Sequence, residues 1–229
     1  MNRTLIIFAR TPEPGAVKTR LAVEYGDVAA CRLYEAFIRD LAIAMHEVKS
    51  ATHWYVTPDV VPFADLVGDG EVRTQEGSGL GARMRHAFEA SFSEGSDCAV
   101  IIGTDSPLLS AAEVEAAFEI LESGGDSVIG PAEDGGYYLL GLRPGPLDFF
   151  ERLTYSRSDV FERTLAGLWD AGYAPTKLPA AFDIDRPEDV RKLARLLERD
   201  SDRAPRTREA LVSMGVLPRD AQRATLGRR

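Results

Sequence analysis

Three cations and a glycine near the amino terminus, Arg10, Gly15, Lys18 and Arg20, fall within the stretch FARTPEPGAVKTRL at positions 8–21. Two prolines stiffen this segment. Where such a loop joins a strand to a helix, backbone N–H groups and fixed cations converge on one point, which suits an anion such as a phosphate group. A plain Pro/Gly turn with solvated cations has the same composition, so the loop needs support from the rest of the chain. Carboxylates supply some of it. Asp105 stands in Thr104-Asp105-Ser106-Pro107, directly after the apolar run CAVIIG at 98–103. Ser110 and Glu113 form a capping box for the next helix, which leaves Asp105 free for a ligand. Asp183 and Asp185, in FDIDRPED at 182–189, share a side if the segment is extended. Asp185 also reads as an N-cap with Glu188 three residues on. Acids from separate strand ends facing a basic loop make a plausible Mg²⁺ or Mn²⁺ site, since Mg²⁺ takes one or two carboxylates plus phosphate oxygens and water.

Two glycine-rich segments complete the set. In QEGSGLGAR at 75–83, Gly77, Gly79 and Gly81 alternate and let backbone approach a planar or anionic ligand. In GPAEDGGYY at 130–138, Asp134 precedes Gly135 and Gly136 and two aromatics, Tyr137 and Tyr138. That grouping suits a pocket for a hydroxylated acceptor, with Asp134 as orienting group or base. A hairpin turn explains Asp-Gly-Gly equally well.

Other chemistries lack their residues. Lys18-Thr19 has no preceding glycine, so no P-loop is present, and no G-x-G-x-x-G follows the first strand, which disfavours a nicotinamide oxidoreductase. Cys31 and Cys98 stand apart, and His46, His53 and His86 form no ligand pair. The cysteines read as free thiols of a reducing cytoplasm. A net charge of −9 argues against nucleic acid as a partner. The absence of an 18-residue apolar run argues against a membrane.

The elements that must position these residues follow from periodicity. Strands are expected at Thr4–Ala9, Thr52–Thr57, Glu71–Thr74, Cys98–Gly103, Ser127–Pro131, Tyr137–Leu142 and Pro175–Leu178. Helices are expected at Val28–Val48, Leu80–Phe92, Ala111–Ser123, Ser158–Gly172 and Pro187–Arg199. This alternation predicts one α/β, Rossmann-like domain over residues 1–200, with a mostly parallel sheet covered on both faces. The pair at 127–131 and 137–142 predicts an antiparallel excursion, hence a mixed sheet. Residues 201–229 carry seven arginines against three acids. They read as a basic extension with a short helix at Pro205–Met214 and a mobile tail.

Taken in order and spacing, FARTPEPGAVKTRL, QEGSGLGARM, GTDSPLL, GPAEDGGYYLLGL and FDIDRPEDV resemble the radical-SAM/selenodomain-associated transferases. That family carries a glycosyltransferase label within the nucleotide-diphospho-sugar transferase (GT-A) superfamily. The resemblance spans roughly residues 3–200 and extends distantly to the guanylyltransferases for phospholactate and molybdopterin. It implies that Arg10, Gly15, Lys18 and Arg20 cradle nucleotide phosphates and that Gln75, Gly79 and Gly81 line the base. It further implies that Asp105 and Asp185 hold Mg²⁺ or Mn²⁺, while Asp134, Gly135, Gly136 and Tyr137 border the acceptor. Lys18 and Asp134 would be the catalytic pair. One departure stands out: many glycosyltransferases of this fold use Asp-x-Asp, whereas here the motif is Thr104-Asp105-Ser106, closer to nucleotidyltransferases.

The expectation is therefore a metal-dependent transferase with a nucleotide or nucleotide-sugar donor and a small-molecule acceptor. Glycosyl transfer is favoured on the family label. Nucleotidyl transfer to a phosphorylated acceptor, with pyrophosphate released, is the alternative, and an inactive nucleotide-binding module is a third reading. A homo-oligomer is compatible with this reading.

Overall fold

A computed structural model describes residues 1–218 apart from Asp69, Ser156 and Ser201. In chain order the elements are β1 (Arg3–Arg10), α1 (Thr19–Tyr25), α2 (Asp27–Met45), β2 (Ala51–Thr57), α3 (Val61–Val67), β3 (Glu71–Thr74) and α4 (Leu80–Ser93). Then come β4 (Cys98–Gly103), α5 (Ala111–Glu122), β5 (Ser127–Pro131), β6 (Tyr137–Leu142), α6 (Val160–Asp170), β7 (Thr176–Lys177), α7 (Pro187–Arg199) and α8 (Pro205–Ser213), with a 3-10 turn at Asp148–Arg152 before α6. The strands form one sheet in the order β3-β2-β1-β4-β6-β5-β7. β1 runs parallel to β2 and β4, β2 to β3, and β5 to β7. β6 is antiparallel to both its neighbours, which makes the sheet mixed, as expected.

Strand alternation sorts the core into two layers. Leu5, Ile7, Val100 and Ile102 face Phe37 of α2, Phe118 of α5, Leu193 of α7 and Leu211 of α8. Ile6, Ala99 and Ile101 face Phe88 of α4 and Leu168 of α6. Every side chain from Cys98 to Ile102 is at most 4% exposed, as befits a central strand covered on both sides. Val100, Ile101 and Ile102 each contribute about 1.5–3 kcal/mol by leaving water. The β1 and β4 carboxyl ends, with the segments that follow them, are thereby held on a rigid base.

Two helices were not expected. α1 and α3 span seven residues each and bury one side chain apiece, Leu21 and Phe63, so neither writes an apolar stripe into the sequence. The carboxyl-terminal helix also differs from its expected place outside the domain. The Asp40 carboxylate, on α2, accepts from the N–H groups of Arg206 (3.0 Å) and Thr207 (2.7 Å), capping α8 onto α2. Leu211 and Leu217 are buried in the main core, so residues 215–218 do not belong to a loose tail. The remainder of that expected tail, from 219 on, lies outside the described residues. Among the described residues no helix is long and apolar enough to cross a membrane. Cys31 and Cys98 are buried free thiols.

Candidate active site

The carboxyl ends of β1 and β4 and the segment before α7 meet around one amino group. Lys18 has left-handed backbone (φ 47°), an uncommon conformation for a residue with a Cβ. This turn starts α1, with the Lys18 carbonyl accepting from Leu21 and Ala22. It also sends the side chain inward, to 5% exposure. There Nζ donates to the Ile184 carbonyl (2.6 Å) and pairs with Asp105 Oδ1 (2.7 Å). The rings of Tyr34 and Phe37 each lie 5.8 Å from it. Lys18 is thus a strut between three segments rather than a solvated cation.

Tyr34, on α2, completes the same joint. Its hydroxyl accepts from the Arg10 N–H (3.0 Å) and shares a hydrogen bond with Thr104 Oγ1 (2.8 Å). One buried phenol therefore fixes the end of β1 against the residue before Asp105. Arg10 itself is exposed, and Gly15 takes φ 83° in the loop between them. Arg20 is exposed too and forms an ion pair with Asp185. The structure thus brings Lys18, Arg20, Asp105 and Asp185 together. Asp185 does not cap α7. Arg186 holds that position, and Asp189 Oδ2 accepts from the N–H groups of Asp185 (3.1 Å) and Arg186 (2.7 Å).

Asp183 is the residue that sequence reasoning passed over in favour of Asp185. Its Oδ1 accepts from Ser106 Oγ at 2.5 Å, and the Ile184 N–H donates to the Asp105 carbonyl at 2.9 Å. Burial pushes its carboxyl up to about 6, with the charges of Asp105 and Asp134 adding to the rise against the opposing effects of Ser106 and Lys18. Asp183 therefore lies among the acids of the site. A carboxyl raised from 3.8 to about 6 in the folded chain binds its proton more readily there than when unfolded. Its cost to stability is absent below the unfolded value and fully felt above the folded one. In metal-free buffer, Asp183→Asn is expected to raise stability near pH 7.5 by on the order of 2 kcal/mol and to change little near pH 4. Thermal melts at the two pH values check this; an equal shift at both would mean the carboxyl is not raised.

The nucleotide-side residues divide. Gln75 follows β3, with its N–H on the Val56 carbonyl (2.9 Å). Its Nε2 donates to the carbonyls of Ala9 (3.0 Å) and Tyr55 (2.9 Å). Gly77 has φ 134°, and a Cβ there would lie 2.9 Å from the Ala82 backbone; at Gly79 a Cβ would meet nothing within 4 Å. Gly81, expected to line the nucleotide, is instead buried in α4. A Cβ there would sit 2.4 Å from the Phe150 carbonyl, so this glycine lets α4 approach the 3-10 turn.

On the acceptor side, Asp134 Oδ1 accepts from the Gly136 N–H at 2.8 Å, closing its own turn. Gly135 has φ 91° and abuts the Ser158 carbonyl, where a Cβ would lie at 2.0 Å. Its own carbonyl accepts from the Phe161 N–H at 2.9 Å, tying the hairpin to the start of α6. Tyr137, expected at the acceptor, points its hydroxyl toward Met84 Sδ at 3.6 Å, and burial raises its pKa.

Known proteins resemble this chain in sequence and fold. The chain is 29% identical over 195 residues to phosphoenolpyruvate guanylyltransferase of Rubrobacter xylanophilus, covering 82% of this chain and 93% of that one. It is 30% identical over 190 residues to 3-phospho-D-glycerate guanylyltransferase of Phenylobacterium zucineum, covering 78% and 84%. A crystal structure described as a nucleotide-diphospho-sugar transferase from Desulfovibrio desulfuricans G20 superposes with a TM-score of 0.87 at 31% identity, over 93% of this chain and 95% of the other. That likeness bears out the superfamily expected from the motifs. The model of a family described as "Uncharacterized protein conserved in bacteria (DUF2064)" matches residues 33–157, more than half of the chain and a span that runs from α2 through β6. With that match, the chain belongs to the DUF2064 family.

Proposed function

We propose that this chain is a nucleotidyltransferase that joins a nucleoside triphosphate to a phosphorylated small-molecule acceptor and releases pyrophosphate. The observation that carries the reading is the state of Asp134. Its Oδ1 accepts from the Gly136 N–H and closes its own turn, which gives this acid a structural duty that requires no role as a base. A hydroxyl acceptor in an inverting glycosyl transfer loses its proton as it attacks and benefits from such a base, whereas a phosphate acceptor is already ionised. The single Asp105 in place of Asp-x-Asp agrees, and so do the two relatives, both guanylyltransferases with phosphorylated acceptors in their names. These points move the reading away from glycosyl transfer, the expectation that rested on the family label. The buried joint of Lys18, Asp105 and Tyr34 counts against an inactive binding module, since it holds a carboxylate half-exposed at the strand end.

In this reaction an acceptor phosphate oxygen attacks the α-phosphorus, the bond to the bridging oxygen of the β-phosphate breaks, and pyrophosphate leaves with that oxygen. The protein positions the reactants and balances charge. Arg10 and Arg20 are the exposed cations for the triphosphate. The residues fit a divalent ion. Asp105 and Asp183 lie close enough for their charges to interact and Asp185 follows two residues on, yet among the described residues no three such groups converge as a complete cage. Mg²⁺ suits that arrangement, because phosphate oxygens and water supply its remaining ligands. Asp105 and Asp185 would hold the ion, which when bound offsets triphosphate charge. A cytoplasmic setting, with buried reduced thiols, belongs to the same proposal.

The test is pyrophosphate release with nucleoside triphosphates against 3-phosphoglycerate and phosphoenolpyruvate, in the native chain and in Asp134→Asn. Release within about threefold of native is expected for the variant, because the Asn Oδ1 still accepts from the Gly136 N–H and an ionised phosphate acceptor needs no base. Sugar transfer from a nucleotide sugar that vanishes in Asp134→Asn, without any pyrophosphate release, would restore the glycosyl reading.

A further inference from the structure

A cavity of about 840 Å³ opens among the last turns of α2, the start of β2, the end of α3 and the first residues of α8. Ser50, which lines it, stands at the amino end of β2. Arg10 and Asp105 stand at the opposite edge of the sheet, beyond a strand seven residues long, on the order of 20 Å. None of the residues lining the cavity takes part in the candidate active site.

The lining joins an apolar interior to a cationic rim. The Trp54 indole, packed on Phe63 with ring centroids 5.6 Å apart, is part of the interior, and Ile43 and Leu66 add aliphatic surface. Gly70 keeps the wall beside the indole free of side chain, since a Cβ there would lie 2.8 Å from Trp54 Cδ1 and Nε1. Ser50 Oγ is buried without a hydrogen-bond partner. An acceptor in the cavity would meet an unused donor once that hydroxyl takes a staggered rotamer toward it. At the rim, Arg39, His46 and Arg206 are exposed, and Glu47 is the one acid among the described lining residues. Neither Arg39 nor His46 has a side-chain partner among the described residues, and Arg206 has only Glu209 at 3.8 Å. In a chain of net charge −9, two uncommitted arginines beside an apolar hollow are a local reversal of sign.

We propose that this cavity binds a small organic anion with an apolar body, the body against Trp54, Ile43 and Leu66 and the anionic group on Arg39 and Arg206. Small-molecule sites have this size, and they set a few polar groups in a mostly apolar lining. Guanidinium groups suit a carboxylate, sulfonate or phosphate through charge-assisted hydrogen bonds. Residues 219–229 are a poor occupant, because they carry four arginines against one acid. The site stands apart from the nucleotidyltransferase reading and does not rest on it.

Titration of the full chain with 8-anilinonaphthalene-1-sulfonate, an aromatic anion that brightens out of water, tests this. N-phenyl-1-naphthylamine, which has the same body without the charge, is the control. Saturable binding of the sulfonate at one site is expected, about tenfold tighter than that of the neutral compound. Arg39→Glu and Arg206→Glu are each expected to weaken the sulfonate about tenfold and to leave the neutral compound within about twofold. Ser50→Ala is expected to weaken it about threefold without lowering the Tm, since the hydroxyl has no partner to lose. GTP with Mg²⁺ is expected to leave the sulfonate bound. Displacement by GTP would assign the bound anion to the nucleotide site and overturn the proposal. So would absence of binding, or an affinity for the sulfonate that is unchanged in both arginine variants. Binding that weakens as protein concentration rises would give the cavity to a second copy of the chain and overturn it as well.

Discussion

Lys18→Met is expected to transfer nucleotide about 100-fold more slowly than the native chain, and also to melt several degrees lower. Read as an exposed cation of a basic loop, Lys18 would affect rate alone. Its 5% exposure changes that. Methionine fills the space beside Tyr34 and Phe37, but the Ile184 carbonyl loses its donor and Asp105 loses its partner. An unmade buried hydrogen bond costs about 1–3 kcal/mol. Asp105 is half-exposed and can be resolvated, so the loss belongs at the lower end of that range. For a chain of this size that is a fall of about 3–6 °C. The rate effect comes from geometry: without the strut, Asp105 is no longer fixed relative to Arg20 and Asp185, and losing one preorganised charged group typically costs 10²–10³-fold. Turnover per folded molecule, corrected by a melt of the same sample, separates the two effects. Native turnover in a less stable protein would make Lys18 a folding residue only.

Asp105→Asn carries the second large effect. The amide keeps the size of the side chain and can still accept from Lys18, so the fold should hold. What disappears is a negative charge at the end of β4, where the carboxylate has one oxygen on Lys18 and remains 54% exposed. A hard divalent cation binds a carboxylate far better than an amide. The expected result is a rate loss of about 10³-fold, with nucleotide affinity nearly the same in Mg²⁺ and in EDTA. Calorimetry of GTP under both conditions is the measurement. A variant that still binds nucleotide many times more tightly in Mg²⁺ would remove Asp105 from the ligand set.

The sequence was most legible where a residue's surroundings lie close to it along the chain. β4 shows as an unbroken apolar run, and Ser110 with Glu113 forms the expected capping box around α5. The antiparallel β6 was visible because Glu133-Asp134-Gly135-Gly136 leaves too little chain for a crossover. What escaped was set by distant partners. The burial of Lys18 depends on a carbonyl 166 residues away, and on two rings whose helix shows in the sequence only as a generic apolar face. Asp183 and Asp185 look alike in the sequence, yet one is drawn inward by Ser106 and the other is kept outside by Arg20. Gly81 shares its spacing with Gly77 and Gly79, and only the placement of Phe150 turns it to packing.

The order of the strands has a consequence for how the protein can diversify. β4 is the middle of the seven, with β1 to β3 on one flank and β5 to β7 on the other. On the proposed reading the first flank meets the nucleoside and the second meets its partner in the reaction, while Asp105 at the end of β4 belongs to both. Because β6 runs backwards, the turn between it and β5 is delivered to the reactive edge as a short tip, anchored by Gly135 to the start of α6. Lengthening or recomposing that tip would leave Gln75, Lys18 and Tyr34 untouched. One half of the sheet can thus keep a single nucleotide while the other is retuned to a succession of phosphorylated metabolites, without rebuilding the half that holds the nucleotide.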